Sequence, residues 1–146
     1  MPKLEFTCQR GGVLTADILV DRVPETWKAI SRELPVTWTM LNARWSGREL
    51  YTGCDLPNKP PRENQTTRAS LGDIIYACEW SGNRDRTGFE AIGLFYGAEI
   101  VRDWRGDFAV NWIGRIDPSQ WDLIQEIGNR IHKEGGEDCH LRVLSD

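Results

Sequence analysis

Four polar side chains of different chemistry occur close together in the first half of this 146-residue sequence. Asn42, Arg44, Glu49 and Tyr51 offer an amide, a guanidinium, a carboxylate and a phenol. The planar guanidinium of Arg44 can grip a carboxylate or an amide carbonyl, and Glu49 would orient it. The sequence therefore predicts a site for a small molecule or peptide that carries one of these two groups.

A β-hairpin between Thr37 and Thr52 would bring these residues together. Either Ser46-Gly47 or Gly47-Arg48 can supply a two-residue turn. Because successive side chains of a strand point to opposite faces, both turns place the four polar residues on one face. The other face would be apolar and carry Ala43, Trp45 and Leu50.

A purely structural interpretation of the same residues stays open. Arg44 and Glu49 would form a cross-strand ion pair, which contributes only about 0–1 kcal/mol when exposed and needs no function. The two interpretations differ in what Arg44 binds.

Three further residues are candidates for the same concavity. Trp38 could be a stacking platform, and Tyr96 and Asn111 could line a neighbouring wall. Each has a structural alternative as well. Trp38 and Tyr96 would pack in the core, and the Asn111 amide would bond to the backbone, because buried polar groups need partners.

Composition excludes several classes of partner. The net charge is -4 and no run of Lys and Arg is present, so we expect no nucleic-acid binding. No apolar run of 18 residues is present, so no membrane span is expected. The first residues, 1–6, lack the layout of a secretory signal, which predicts a cytoplasmic protein. The length fits one domain, residues 1–146.

No cofactor or metal site is expected. The cysteines are scattered, without the spacing of a zinc site, and no glycine-rich phosphate loop joins a strand to a helix. Neither histidine has a nucleophile beside it in a recognisable pattern. The cysteines are Cys8, Cys54, Cys78 and Cys139.

Two helices and several strands must position these residues. Pro24 opens one helix, and Asp117 and Pro118 begin a second that ends at Gly135-Gly136. The predicted order is two strands, helix, hairpin, a long loop at Asp55–Ser70, three strands, helix and final strand. This order predicts a mainly β protein, a closed antiparallel barrel capped by helices.

Three sequence blocks resemble those of a bacterial family of cyclophilin-like proteins of unassigned function. The blocks are 42–49 (NARWSGRE), 72–76 (GDIIY) and 94–97 (LFYG). The resemblance extends over nearly the whole chain. It implies a cyclophilin-like barrel and does not imply an activity.

The resemblance also suggests a second function, that of a divergent prolyl isomerase. Prolyl isomerases carry Phe-His-Arg on the strand after the first helix, and Arg44 has a similar place. Here Asn42-Ala43 stands before the arginine, and Thr52-Gly53-Cys54-Asp55 is a poor match to the Gln-Gly-Gly-Asp block of the isomerases. An amide-processing enzyme that uses carboxylates is a third possibility. The seven Trp residues suggest a homo-oligomer.

Overall fold

Alternating apolar residues form the strands of the computed structural model, which describes residues 1–80 and 89–144. The strands are β1 (Lys3–Cys8), β2 (Val13–Ile18), β3 (Val36–Asn42), β4 (Glu49–Gly53), β5 (Gln65–Thr66), β6 (Arg68–Ala69), β7 (Asp73–Cys78), β8 (Glu90–Phe95), β9 (Glu99–Ile100), β10 (Arg102–Asp103), β11 (Gly106–Asp107), β12 (Val110–Ile116) and β13 (Glu137–Leu144).

Eight of the described strands close into an antiparallel barrel. Their order is β2-β1-β13-β3-β4-β8-β7-β12, and β12 pairs back with β2 through Gly114↔Ile18 and Ile116↔Ala16. Closure leaves neither β2 nor β12 as a free edge. The predicted mainly β, closed antiparallel barrel with two helices is confirmed.

The two helices complete the interior of the barrel. They are α1 (Pro24–Ser31) and α2 (Trp121–Glu134), and a 3₁₀ turn, Pro118–Gln120, leads into α2. Their apolar faces join one buried cluster with the inward side chains of the strands. Neither helix in the described ranges has the length and apolar character that a membrane span needs.

The start of α2 differs from the sequence prediction in two ways. The α-helix begins at Trp121 rather than at Pro118, and Asp117 caps the 3₁₀ turn that precedes it. The Asp117 carboxylate accepts a hydrogen bond from the Ser119 backbone N–H at 2.9 Å, as an N-cap residue does. Gln120 does not complete a capping box. Its side chain instead bonds to the backbone N–H and carbonyl of Thr15, at 2.8 and 3.0 Å, and ties the turn to β2.

The register of the central hairpin differs from the prediction. β3 ends at Asn42, β4 begins at Glu49, and Asn42 pairs with Leu50. The connection is a six-residue loop, residues 43–48, rather than a two-residue turn. The Asn42 amide closes this loop by donating to the carbonyl oxygens of Ala43 and Gly47, at 2.9 and 3.3 Å. Asn42 therefore shares a face with Leu50, opposite to Glu49 and Tyr51.

The predicted loop Asp55–Ser70 carries the short strands β5 and β6 and is anchored by a buried amide. Asn111, on β12, accepts hydrogen bonds from the Glu63 backbone N–H and the Gln65 side chain, both at 2.9 Å. It donates to the Thr26 hydroxyl and the Pro61 carbonyl, both at 3.0 Å. The amide thus joins the loop to α1 and to the barrel, which is the structural alternative expected for it.

A second, smaller apolar cluster lies on the outer face of the barrel. Outward side chains of β7 and β8 pack there against residues of the segment 99–110 that follows β8. The cluster consists of Ala69, Ile75, Ala77, Phe95, Val101 and Val110. This cluster holds the segment 99–108 against the barrel wall, and the space beside it forms the candidate site.

Candidate functional site

A cavity of about 440 Å³ opens on the outer face of the barrel. Its inner wall is formed by β4, β7 and β8. Its two sides are the loop 43–48 and the segment 99–108. The volume lies within the range of roughly 300–1,000 Å³ that is typical of small-molecule sites. We call it the outer cavity.

The carboxyl of Glu49 lies on the inner wall of the outer cavity, in space left by Gly93. Glu49 is 7% exposed, and a β-carbon at position 93 would lie 2.1 Å from its Oε2. Burial raises the pKa of Glu49 to about 8, although a hydrogen bond with Ser46 opposes the change. At pH 7 the Glu49 carboxyl is therefore protonated and neutral in most of the molecules.

Ser46 fastens the two sides of the outer cavity to each other. Its hydroxyl donates to the Arg102 carbonyl at 2.8 Å and accepts from the Arg102 backbone N–H at 3.0 Å. The Arg102 guanidinium also donates to the Trp45 carbonyl at 3.2 Å. These bonds hold the loop 43–48 and β10 in fixed positions around Glu49.

Cationic groups outnumber anionic ones in the outer cavity. Arg44 is exposed and forms no hydrogen bond or ion pair with the described residues, so the predicted pair with Glu49 is absent. Arg102 forms no ion pair within residues 1–80 and 89–144. Arg105 donates to Asp103 at 2.6 Å and to Glu79 at 2.9 Å. A ligand anion would find Arg44 available.

Aromatic side chains form the rim. Trp45 and Trp104 are 52% and 65% exposed, and the Arg105 guanidinium lies 5.6 Å from the ring centre of Trp104. Phe89, Phe108 and Tyr51 also line the cavity. Flat apolar rings around a concave surface suit a flat or apolar ligand.

The predicted site residues divide into two groups. Arg44, Glu49 and Tyr51 line the outer cavity together. The other four lie elsewhere because they belong to the core or to structural hydrogen bonds. Trp38 packs against the inner cluster, the Tyr96 hydroxyl donates to the side-chain amide oxygen of Asn42 (Oδ1) at 2.5 Å, and Asn111 anchors the loop before β7.

The contribution of the segment 99–108 and the role of Ser46 were not predicted from the sequence. Trp45 was predicted to lie on an apolar face, whereas this side chain stands at the cavity rim. One signal was available. Residues 102–107 (RDWRGD) combine a Trp with closely spaced charges and a glycine, Gly106, that has a φ of +116°. Such a turn at a surface is a common place for binding residues.

The structure offers no metal centre among residues 1–80 and 89–144. No group of three His, Cys, Asp or Glu side chains in these ranges is arranged to hold an ion. Cys8 and Cys139 face each other across β1 and β13 with their sulfur atoms 3.4 Å apart, and both are buried free thiols.

Solved structures with similar folds support the architecture. A chain titled "Structure of McbB in complex with tryptophan" is 19% identical with a TM-score of 0.73, over 95% of this chain and 44% of that one. This chain therefore spans less than half of that protein.

Two neighbours match over nearly their whole length. The solution structure of the hypothetical protein AF2241 from Archaeoglobus fulgidus is 24% identical, with a TM-score of 0.59, over 96% of this chain and 92% of that one. A cyclophilin-type peptidyl-prolyl cis-trans isomerase from Cryptosporidium parvum, solved in the presence of the dipeptide Ala-Pro, is 10% identical with a TM-score of 0.55. That match covers 99% of each chain. The cyclophilin-like barrel is thus confirmed.

A comparison with curated proteins finds no match. A family profile matches residues 7–143, which is nearly the whole chain, and its description is "Protein of unknown function (DUF3830)". The resemblance to a cyclophilin-like family of unassigned function is confirmed, and the chain belongs to the DUF3830 family.

Proposed function

We propose that the outer cavity binds a small aromatic molecule that carries a carboxylate, with Arg44 as the partner of that carboxylate. The observation that carries the proposal is an exposed arginine without a partner among the described residues, at the edge of a cavity with an aromatic rim. An arginine fork can bind a carboxylate through two parallel hydrogen bonds. An amide carbonyl would receive only part of this interaction.

The charge of the cavity supports a carboxylate over a neutral amide. Glu49 is mostly neutral at pH 7, and Asp103 is paired with Arg105. Arg44 and Arg102 are then the uncompensated charges of the cavity. The fold neighbour titled as a complex with tryptophan binds a ligand of this class, an aromatic ring with a carboxylate.

The test is calorimetric binding of indole-3-propionate and of its primary amide. We expect the carboxylate to bind more tightly than the amide, and Arg44→Ala to weaken carboxylate binding at least tenfold. Two charge-assisted hydrogen bonds would be lost, each worth about 1.5–3 kcal/mol. The melting temperature should stay nearly unchanged, because Arg44 forms no bond with the described residues.

Arg22→Ala is the matched control. Arg22 is exposed, lies outside the cavity lining and has no side-chain bond to the described residues. This variant should bind indole-3-propionate as the wild type does. The proposal fails when the wild type binds no aromatic carboxylate, or when Arg44→Ala and Arg22→Ala bind equally well.

A further inference from the structure

We propose that Glu49 receives the amino group of the bound ligand, so that the outer cavity selects aromatic α-amino acids over aromatic acids that lack the amine. The inference rests on the proposed function, because it assigns the second polar group of the same ligand. The ligand carboxylate would face Arg44 and its ammonium group would face Glu49, while the ring lies among the rim aromatics.

The position of Glu49 places a carboxyl in the cavity without a counter-ion. The Ala43 backbone N–H donates to the Glu49 backbone carbonyl at 2.8 Å, and Arg44 is the residue that follows Ala43 in the chain. The two side chains nevertheless form no ion pair within the described residues. A buried carboxylate without a cation is costly, so the free protein keeps this group neutral. A ligand ammonium would supply the missing charge.

The Ser46 hydroxyl cannot take the place of a cation beside Glu49. A serine hydroxyl has one proton, and the Arg102 carbonyl, 2.8 Å from the Ser46 oxygen, can only accept it. The Arg102 carbonyl therefore competes with Glu49 for this proton, and the hydrogen bond with Ser46 lowers the pKa of Glu49 by less than burial raises it.

The remaining charged groups around Glu49 do not replace a ligand cation. β7 and β8 present Ile75, Ala77, Ala91, Gly93 and Phe95 on this face, and none of these is charged. Asp73, the first residue of β7, shares this face, but it is an anion and accepts a hydrogen bond from the Ser70 backbone N–H at 2.7 Å. The segment 99–108 contributes Arg102, and Asp103 and Arg105, which pair with each other. On the far side of the loop 43–48, Arg48 pairs with Glu99 at 2.7 Å. None of these described residues supplies a cation to Glu49, so the ammonium group of the ligand would fill that role.

Binding of an amino acid would release a proton. The free protein holds Glu49 as a neutral carboxylic acid, and the free ligand carries an ammonium group and a carboxylate. In the complex Glu49 is a carboxylate beside the ammonium, and its proton passes to the buffer. The O–H bond of Glu49 breaks and the proton forms a bond with the buffer base, so atoms and charges balance with one proton released.

Calorimetry with a pair of ligands tests the inference. L-tryptophan and indole-3-propionate differ in the amino group and share the ring and the carboxylate. We expect L-tryptophan to bind at least tenfold more tightly at pH 7. Repeating the titration in buffers with different ionisation enthalpies should show release of close to one proton for L-tryptophan and none for indole-3-propionate. The release should decline as the pH passes about 8, where free Glu49 ionises.

Glu49→Gln is the matching variant, since glutamine keeps the shape of the side chain and cannot ionise. It should bind both ligands with equal affinity, close to that of the wild type for indole-3-propionate, and release no proton. The wild-type titrations need no variant, so they decide the question even when Glu49→Gln fails to fold.

Each other outcome has a definite meaning. Equal wild-type affinity for the two ligands without proton release overturns the role of Glu49 and leaves the proposed function standing. A Glu49→Gln variant that folds and keeps the preference for L-tryptophan also overturns it. When neither ligand binds the wild type, the proposed function itself is wrong.

Discussion

At the scale of single residues, the Glu49 carboxyl exchanges water for apolar neighbours when the chain folds. Its pKa rises from an ordinary value of 4.5 to about 8 because of burial. Between these two pH values the unfolded chain has released the proton and the folded chain still holds it. The folded state binds more protons in this range, so stability must fall as the pH rises from 4.5 to 8.

We therefore predict that Glu49→Gln removes this loss of stability. The variant and the wild type should unfold with similar free energies at pH 4, and the variant should be more stable by about 3–5 kcal/mol at pH 8. Urea unfolding at several pH values measures the difference. Glu126→Gln, which changes an exposed carboxylate on α2, is the control and should show no such divergence. A constant difference across the pH range would contradict the prediction.

Residue types near the turn were enough to predict Arg44, Glu49 and Tyr51 as candidates. The pairing of the two strands was not predictable, because it depends on contacts that a local pattern does not contain. The loop 43–48 is held by the Asn42 side chain and by Ser46, whose partner Arg102 lies 56 residues further along the chain. This longer loop changes the register and moves Asn42 to the inner face.

At the scale of elements, a buried carboxylate ties the turn after β1 to the end of α2. Glu137, the first residue of β13, accepts hydrogen bonds from the Arg10 and Arg130 side chains at 3.1 and 2.9 Å. Glu137 is 3% exposed. Burial by itself would raise the pKa of Glu137, but the hydrogen bonds from Arg130 and Arg10 outweigh it and lower the pKa below the usual value.

Glu137→Gln should therefore destabilise the protein by about 3–5 kcal/mol at pH 7, because two arginines lose their shared anion. The difference from the wild type should shrink as the pH falls through the lowered pKa of Glu137, where the wild-type group also becomes neutral. Thermal and urea unfolding measure both effects. Asp138→Asn, at an exposed neighbouring position, is the control and should cost well under 1 kcal/mol. Equal losses for the two variants would be the contrary result.

Elements with a clear apolar period were predicted well from the sequence. The helix after Asp117 and the strand at Phe89–Gly97 correspond to α2 and β8. The short strands β9, β10 and β11 were not predicted, since two-residue strands carry no period and depend on their partners. The role of Asn111 in an apolar strand was not predictable from its neighbours in the sequence, because its hydrogen-bond partners lie on α1 and in the loop Asp55–Ser70.

At the scale of the whole molecule, the chain has the same barrel fold as cyclophilins, but the residues before Arg44 differ from those before the arginine of prolyl isomerases. This arginine lies in the loop 43–48 after β3 ends, with Asn42-Ala43 before it rather than Phe-His. We predict no prolyl isomerisation above the uncatalysed rate in a protease-coupled assay with proline peptides, with a cyclophilin as positive control. A rate that Arg44→Ala abolishes would instead establish the isomerase alternative.

The Trp content that suggested a homo-oligomer has another explanation in this fold. Trp27 and Trp80 are buried, Trp38 and Trp112 pack against the two apolar clusters, and Trp45 and Trp104 belong to the cavity rim. Packing and the outer cavity thus account for most of these rings. Oligomerisation stays a prediction.

Gly93 on β8 has no side chain, and the carboxyl of Glu49 on β4 occupies the space that a side chain there would take. A methyl group there would occupy the place of the Glu49 carboxyl and also approach Ile75 at 3.0 Å. Any relative with a larger residue at this position must shorten or redirect the acid on β4. Evolution can therefore replace the acid at position 49 while Gly93 stays, but it cannot enlarge position 93 while the acid keeps its place.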